Sequence, residues 1–313
     1  MRKEIFDYRL GLVLSGGGAK GAYQAGFYQA LWDLELNQSV KAISGTSIGA
    51  LNGALFAMNR REILEEIWKK ASFAKLFEGE DADKRRFVAL AKRYHDQRSR
   101  QKLPDFLREN EVSLFSQEGI RRIIQENLDM ETLNASGKEV YACAYHIEAG
   151  HPVYFSLNEA NPAHFGDILM ASSALPLVFR PVCIDGIYYS DGGVPSPFSP
   201  HGRGDKIPTA PLQGKDLDLI IVLYLRHDDE ADLVGFADVP VLEVYPHEPL
   251  EKIRGAGTLD LSASGVRRKM DMGYRDAMVI LGPIITGLLH GKDLRELVAR
   301  QNLKNAELRR LYG

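Results

Sequence analysis

The chain has 313 residues, 45% hydrophobic and 26% charged, a composition that is typical of a folded protein with a large core and excludes extended disorder. Its 39 lysines and arginines face 42 aspartates and glutamates, and the formal net charge of −3 offers no overall positive field for nucleic acid. The two cysteines exclude a disulfide framework, and no apolar run reaches the ~18–20 residues of a membrane span, so we expect a cytoplasmic protein.

The first sixty residues alternate between strand and helix patterns. The apolar run 10–14 (LGLVL) ends in a glycine cluster and predicts a buried strand, and 20–36 places apolar side chains at helical spacing. A second short strand is predicted at 40–44, followed by an apolar helix at 48–58. This order predicts a βαβ unit, and therefore an α/β fold with a mostly parallel sheet flanked by helices.

The remainder of the chain adds a charged segment, further strands and C-terminal helices. Residues 59–111 are dense in charge and are interpreted as a helical elaboration outside the sheet. The later predicted elements are a helix at 114–128, strands at 140–145 and 153–157, a short helix at 164–173, strand segments within 178–189, a proline-rich loop at 195–211, strands at 217–225 and 239–245, and helices from Ser262 or Ser264 to the end. The predicted organisation is an α/β domain over 1–280 and a helical extension over 281–313.

A glycine-rich turn, 16–21 (GGGAKG), separates the first strand from the first helix. It matches the G-x-G-x-x-G pattern of dinucleotide-binding proteins, but that interpretation needs an acidic residue at the end of the second strand, which ends instead in Ser44-Gly45. A phosphate-binding loop would need Gly-Lys-Ser/Thr, which is absent. Two interpretations stay open from this motif alone, a nucleotide site and a tight turn that requires a positive φ.

The pentapeptide 45–49 (GTSIG) matches G-x-S-x-G and lies between a predicted strand and a predicted helix, as a nucleophile elbow requires. Gly45 and Gly49 remove the Cβ atoms that would collide where strand and helix cross. The turn would hold Ser47 exposed at a helix N-terminus, where the helix dipole favours developing negative charge. Ser47 is therefore the candidate nucleophile.

The two glycine motifs are expected to lie side by side, because adjacent parallel strands end at the same edge of a sheet. Acyl transfer through Ser47 would create an oxyanion, which needs preorganised N–H donors. The amides of Gly17, Gly18 and Ala19 are unobstructed by large side chains and can serve as those donors. The turn is therefore the candidate oxyanion hole.

The candidate base is less clear from the residues alone. A histidine is the usual partner of a nucleophilic serine, and His201 and His227 are the candidates among eight histidines. The alternative is Asp191, which precedes Gly192 and Gly193 and can turn sharply into a cleft, although Asp-Gly-Gly also forms ordinary hairpin turns. No His/Cys/Asp cluster has metal-ligand spacing, so neither a metal nor another cofactor is predicted.

Four segments together resemble the patatin-like phospholipases, serine acyl hydrolases that act on lipids with a Ser–Asp dyad. They occur in the family's order: SGGGAKGAYQAG (15–26), GTSIGALNGA (45–54), ASSALPLVFRPV (171–182) and DGG (191–193), with weaker matches at 150–157 and 272–278. The resemblance implies a three-layer α/β/α fold, Ser47 as nucleophile, Asp191 as base and the turn from Gly16 to Gly18 as oxyanion hole. After Asp-Gly-Gly the chain continues Val194-Pro195-Ser196, where family members often continue toward Asn-x-Pro.

Three functions are therefore compared. The first is a lipid acyl hydrolase of phospholipase A or lysophospholipase type that uses the dyad on a lipid or phospholipid. The second is an esterase or thioesterase with a histidine-assisted triad. The third is a nucleotide- or lipid-binding module without catalysis.

A peripheral contact with anionic membranes is also expected from 84–102. This segment carries eight lysines and arginines against Asp96 alone. If it is helical, an apolar stripe flanked by cations results, from Phe87, Leu90, Ala91 and Tyr94. The alternative is a solvated helix whose stripe packs on the protein.

Overall fold

The structure is a computed structural model that describes residues 5–70, 117–176, 178–194, 202–251 and 260–313. Its helices are α1 (Ala22–Asp33), α2 (Ile48–Ala57), α3 (Arg61–Lys70), α4 (Glu118–Asn127), α5 (Met130–Ala135), α6 (Phe165–Ser172), α7 (Ala263–Leu289) and α8 (Leu294–Tyr312). Its strands are β1 (Leu10–Leu14), β2 (Val40–Thr46), β3 (Glu139–His146), β4 (His151–Ser156), β5 (Val182–Ile184), β6 (Ile187–Asp191), β7 (Leu219–Leu223) and β8 (Val241–Val244).

The strands described form one mixed sheet in the order β5-β6-β3-β2-β1-β7-β8, with β4 also paired to β3. The pairs from β3 through β2, β1 and β7 to β8 are parallel, whereas β4 and β6 run antiparallel to β3. The α/β fold with a mostly parallel sheet is thus confirmed.

Strand β3 has three neighbours on two edges, which decides where the site forms. Strand β4 occupies one edge along its whole pairing, Tyr141 to His146. The other edge is shared, because β2 pairs with β3 up to Cys143 and β6 pairs with it from Ala144 onward. Strands β2 and β6 run in opposite directions, so their C-terminal ends meet.

The two faces of the sheet are covered differently. Alternate residues of β1 and β7, such as Leu12 and Ile221, pack in the larger cluster with helices α1, α2 and α7. Val13 and Val222, on the opposite face, pack with residues that come before and after β7, such as Leu212 and Phe236. The residues before β7 include a short 3-10 turn, Ala210–Leu212.

Helix α7 is long enough and apolar enough to cross a membrane by length and composition alone, and no other described helix is. However, 44% of its most apolar window is buried, and it lies directly against α1. A Cβ at Gly26 would lie 1.9 Å from the carbonyl oxygen of Met270, and one at Gly273 would lie 1.9 Å from that of Tyr23. The two backbones therefore touch, and the apolar residues of α7 that face α1 are buried in this packing.

Several element boundaries differ from the sequence predictions. Helix α1 begins at Ala22, because Gly18–Gly21 form a 3-10 turn. Ser262 is the N-cap of α7, and its hydroxyl accepts the amide of Gly265 at 3.1 Å. Helix α7 continues without a break across the predicted domain boundary at 280, so it belongs to the α/β unit. Of the predicted elaboration 59–111 the structure describes only α3, and the segment 84–102 lies outside the described residues.

Candidate active site

Ser47 occupies a sharp turn between β2 and α2. Its φ of 58° and ψ of −125° lie in a region that residues with a Cβ rarely adopt. A Cβ at Gly45 would lie 2.3 Å from the carbonyl oxygen of Gly49, and one at Gly49 would lie 2.2 Å from the carbonyl oxygen of Leu14. The structure thus has the strained strand–turn–helix geometry expected from the motif, and both glycines are sterically required.

The end-to-end arrangement of β2 and β6 brings Asp191 to Ser47. Thr46, the last residue of β2, pairs with Cys143, and Asp191, the last residue of β6, pairs with the next residue, Ala144. Ser47 and Asp191 line the same cavity, and hydrogen bonding from the Ser47 side chain lowers the pKa of the Asp191 carboxyl. The candidate nucleophile and the candidate carboxylate base are therefore neighbours, and no described histidine lines the cavity that they share.

Burial controls the basicity of Asp191, whose side chain is 4% exposed. Burial raises its pKa to about 6, although hydrogen bonds from Ser47 and the Gly193 amide and the charge of Lys206 act in the opposite direction. The Gly193 amide donates to Oδ1 at 2.9 Å. A carboxylate with this pKa is a stronger base than an ordinary aspartate and is still mostly ionised at pH 7.

Ser172 anchors the backbone of the strained Ser47, a contact that the sequence analysis missed. The Ser47 amide donates to Ser172 Oγ at 2.9 Å, and this hydroxyl donates in turn to the carbonyl of Cys143 at 2.6 Å. Ser172 is fully buried at the end of α6. It lies inside a segment that carried the family resemblance, but nothing local to that segment identifies its partners.

The glycine turn lies against the elbow, since a Cβ at Gly16 would be 3.4 Å from the Cβ of Ser47. The Gly16 amide donates to the carbonyl of Lys206 at 3.0 Å, so the expectation that Gly16 contributes an oxyanion donor is corrected. Gly18, with a φ of 57°, opens the 3-10 turn, and the first N–H groups of a helical turn have no partner within it. This leaves the amides of Gly17, Gly18 and Ala19 as candidate donors.

One irregular segment, 202–207, joins all three parts of the site through its backbone. The Asp205 amide donates to the carbonyl of Gly192 at 2.7 Å, and the Thr46 hydroxyl donates to the carbonyl of Asp205 at 2.8 Å. The Lys206 carbonyl receives the Gly16 amide. The segment therefore fixes the aspartate loop, the elbow and the glycine turn relative to one another.

The carboxylate of Asp205 maintains this segment. It accepts the amide of Ile207 at 3.1 Å and the hydroxyl of Tyr154, on β4, at 2.6 Å. The sequence predicted only a proline-rich loop here, because the partners of Asp205 lie far away along the chain.

The site opens into a cavity of about 400 Å³. Most of its lining is apolar and comes from α2, α3, α4 and the residues after α6: Ile48, Leu51, Leu55, Ile67, Trp68, Ile120, Ile123, Leu128, Leu175, Val178 and Phe179. Cationic side chains beside the glycine turn form a polar part: Lys20, Lys206 and Arg226. Lys206 binds Asp229 at 2.6 Å, and Lys20 lies 3.7 Å from Glu251.

The histidine alternatives find little support in the geometry. His227 is buried, with Nε2 2.7 Å from the carbonyl oxygen of Pro246, and burial lowers its pKa. Neither His227 nor any other described histidine lines the cavity. His201 lies outside the described residues. Within the described ranges, no cluster of three His, Cys, Asp or Glu side chains could hold a metal ion.

Comparison with known proteins assigns the chain to a family. The patatin-like phospholipase family model matches residues 12–200. The uncharacterized protein YjjU of Escherichia coli K12 is 28% identical over 282 residues, covering 78% of this chain and 70% of YjjU. Lysophospholipase nte1 of Aspergillus terreus is 29% identical over 238 residues, covering 76% of this chain. This chain spans 13% of the length of that fungal protein.

Solved structures with a similar fold include VipD from Legionella pneumophila, with a TM-score of 0.47, 15% identity, and coverage of 88% of this chain and 67% of VipD. Human GIVD cytosolic phospholipase A2 in complex with methyl gamma-linolenyl fluorophosphonate also has a TM-score of 0.47, with 11% identity and coverage of 95% and 60%.

Fold, site and family match define the class as that of lipid ester hydrolases. The family model covers more than half of the chain, and the chain belongs to the patatin-like phospholipase family.

Replacing Gly18 with Val tests the candidate oxyanion hole. Valine disfavours the φ of 57° at this position, and the resulting shift displaces one amide donor. We expect kcat for a short ester to fall by about 10²–10³, with a smaller change in KM. Gly137→Val is the matched control, because Gly137 also has a positive φ (66°) but lies outside the cavity lining. Equal loss of kcat in both variants would remove the assignment.

Proposed function

We propose that this protein hydrolyses carboxylic esters of lipids with Ser47 as nucleophile and Asp191 as base. The observation that carries the proposal is the position of Ser47 beside the buried Asp191 carboxylate, where the ends of β2 and β6 meet and both residues line one cavity. The strained backbone at Ser47 and the glycine turn beside it support the same assignment.

In the first half of the reaction, Ser47 Oγ attacks the ester carbonyl carbon while Asp191 accepts the hydroxyl proton. The carbonyl oxygen becomes an oxyanion and accepts hydrogen bonds from the amides of Gly17, Gly18 and Ala19. Collapse of the tetrahedral intermediate breaks the ester C–O bond, and the departing alcohol takes the proton from Asp191. An acyl ester of Ser47 remains.

In the second half, a water molecule attacks the acyl carbonyl while Asp191 accepts its proton. The second tetrahedral intermediate releases the carboxylic acid, and the proton returns from Asp191 to Ser47 Oγ. Because Asp191 has a pKa of about 6, it can accept a proton in one step and return it in the next without a large free-energy penalty.

The cavity suggests the class of ester. Its apolar part suits a fatty acyl chain, and its polar part, where Lys206 and Arg226 pair with Asp229 and Asp228, suits a polar alcohol. We therefore propose a phospholipid or lysophospholipid as substrate, the latter in line with the name of the fungal relative. We also propose that the protein is cytoplasmic and reaches anionic membranes through the basic segment 84–102.

A fluorophosphonate probe followed by peptide mapping tests the proposal. We expect one labelled residue, Ser47, and loss of p-nitrophenyl ester hydrolysis in proportion to labelling. Heat-denatured protein is the control and is expected to remain unlabelled, because the nucleophile is activated only in the fold. Absence of labelling together with absence of ester hydrolysis would contradict a serine hydrolase.

A further inference from the structure

We propose that helix α2 determines the length of acyl chain that the cavity accepts, and that Leu51 and Leu55 are the residues that set this limit. This inference rests on the proposed function, because it requires the acyl group to be attached to Ser47. It adds a length limit, and the residues that set it, to the proposed substrate class.

One continuous face of α2 lines the cavity. The lining residues are Ser47, Ile48, Leu51, Asn52 and Leu55, which share one side of a helix because they are spaced by three or four positions. Ser47 is the N-cap, and the helix rises ~1.5 Å per residue. Leu51 therefore lies ~6 Å and Leu55 ~12 Å from Ser47 along the helix axis.

Side chains of α3 and α4 form the opposite wall. Ile120 and Ile123, three positions apart on α4, face the cavity, as does Trp68 on α3. Trp68 is fixed in orientation, because its indole N–H donates to Asn52 Oδ1 at 3.1 Å. The wall is therefore apolar and rigid.

Asn52 is the polar residue on this face, and its hydrogen-bonding groups are already used. Its amide group donates to the carbonyl of Gly21 and to Gln24 Oε1, both at 3.0 Å, and its oxygen accepts Trp68. An alkyl chain that passes Asn52 consequently leaves no polar group without a partner, so the polar residue does not oppose its binding.

The dimensions indicate a medium-length chain. An extended chain advances ~1.2 Å per bond, so it reaches Leu51 after about five bonds and Leu55 after about ten. The distance along α2 therefore predicts that kcat/KM rises with chain length to about ten carbons and then levels off.

The test compares Leu51→Phe with Leu55→Phe on p-nitrophenyl esters from acetate to palmitate. We expect Leu51→Phe to lower the octanoate-to-acetate ratio of kcat/KM by about tenfold or more. Leu55→Phe is expected to leave the hexanoate-to-acetate ratio within about twofold of the wild type and to lower the decanoate-to-acetate ratio about tenfold. Ratios are used so that a general loss of active protein cancels.

Leu64→Phe is the matched control, because Leu64 is buried in the same core but does not line the cavity. We expect its ratios to equal those of the wild type. If the phenylalanine variants do not fold, Leu55→Ala is measured instead. We expect its dodecanoate-to-decanoate ratio of kcat/KM to rise severalfold, because the smaller side chain leaves space at position 55.

Opposite results separate the two levels of the proposal. One outcome would overturn the length limit alone. The protein hydrolyses esters and Ser47 is labelled by the fluorophosphonate, but Leu51→Phe and Leu55→Phe both keep the chain-length profile of the wild type. If Ser47 is not labelled and no ester is hydrolysed, both the proposed function and the length limit are overturned.

Discussion

Ser47→Ala is expected to reduce ester hydrolysis by about 10³-fold or more while the protein stays folded. The variant removes the only atom that forms the acyl intermediate in the proposed mechanism, and the remaining groups cannot replace it. The measurement is kcat/KM on a p-nitrophenyl ester, with circular dichroism to check the fold.

Ser173→Ala is the matched control. This serine also lines the cavity, but its hydroxyl donates to the carbonyls of Leu169 and Met170, so we expect activity within a few-fold of the wild type. A Ser47→Ala enzyme that retains more than about one part in 10³ of its activity would point to another nucleophile.

Backbone strain at Ser47 gives the same position a second readout. A Cβ is disfavoured at φ 58°, ψ −125°, so Ser47→Gly should be more stable than Ser47→Ala by about 1 kcal/mol or more. Equal stability of the two variants in urea unfolding would contradict the strain.

Asp191→Asn is expected to be nearly as inactive as Ser47→Ala and, at pH 7, more stable than the wild type. The amide cannot accept the serine proton, so activity is lost. Burial raises the pKa of Asp191 from 3.8 to about 6. The folded protein therefore holds this proton more tightly than the unfolded chain, and stability that is present below pH ~4 is lost as the pH rises through about 6.

The size of the gain follows from the same pKa. A pKa raised by about two units corresponds to ~3 kcal/mol at pH 7, which is an upper limit for the gain because asparagine makes weaker hydrogen bonds than the carboxylate. Urea unfolding at pH 7 and at pH 4 measures it, and the difference between variant and wild type should shrink at the lower pH. A variant that is less stable at both pH values would contradict the burial argument.

The kcat/KM of the wild type should rise with pH as Asp191 ionises, with a midpoint near pH 6. His227→Ala is the control, and it should keep both this profile and activity within a few-fold. A loss of about 10³ in that variant would replace the dyad with a histidine-assisted triad.

The parts of the site that could be predicted from sequence are those formed by neighbouring residues. The elbow at Ser47 and the turn at Gly18 each lie within one strand–turn–helix unit, and parallel pairing of β1 with β2 places them together. Asp191 was identified by family resemblance, whereas its contact with Ser47 depends on β6 running against β3 in the opposite direction.

Contacts between distant residues could not be predicted in this way. Ser172 is separated from Ser47 by 125 positions, and Thr46 from Asp205 by 159. The family resemblance placed Gly16 in the oxyanion hole. No local pattern indicates that the Gly16 amide would instead donate to the Lys206 carbonyl. A serine or threonine hydroxyl or a backbone amide can bond to many equivalent groups. The sequence around it therefore does not identify its partner.

The ends of β2 and β6 meet on β3, and this arrangement fixes the backbone positions of the two residues of the proposed dyad. Ser47 and Asp191 are separated by more than 140 positions along the chain, yet Asp191 and Thr46, the residue before Ser47, pair with consecutive residues of β3. Local opening of a surface loop leaves this backbone pairing intact. The backbone distance between the two residues is thus set by the sheet, and on heating it should persist until the sheet unfolds.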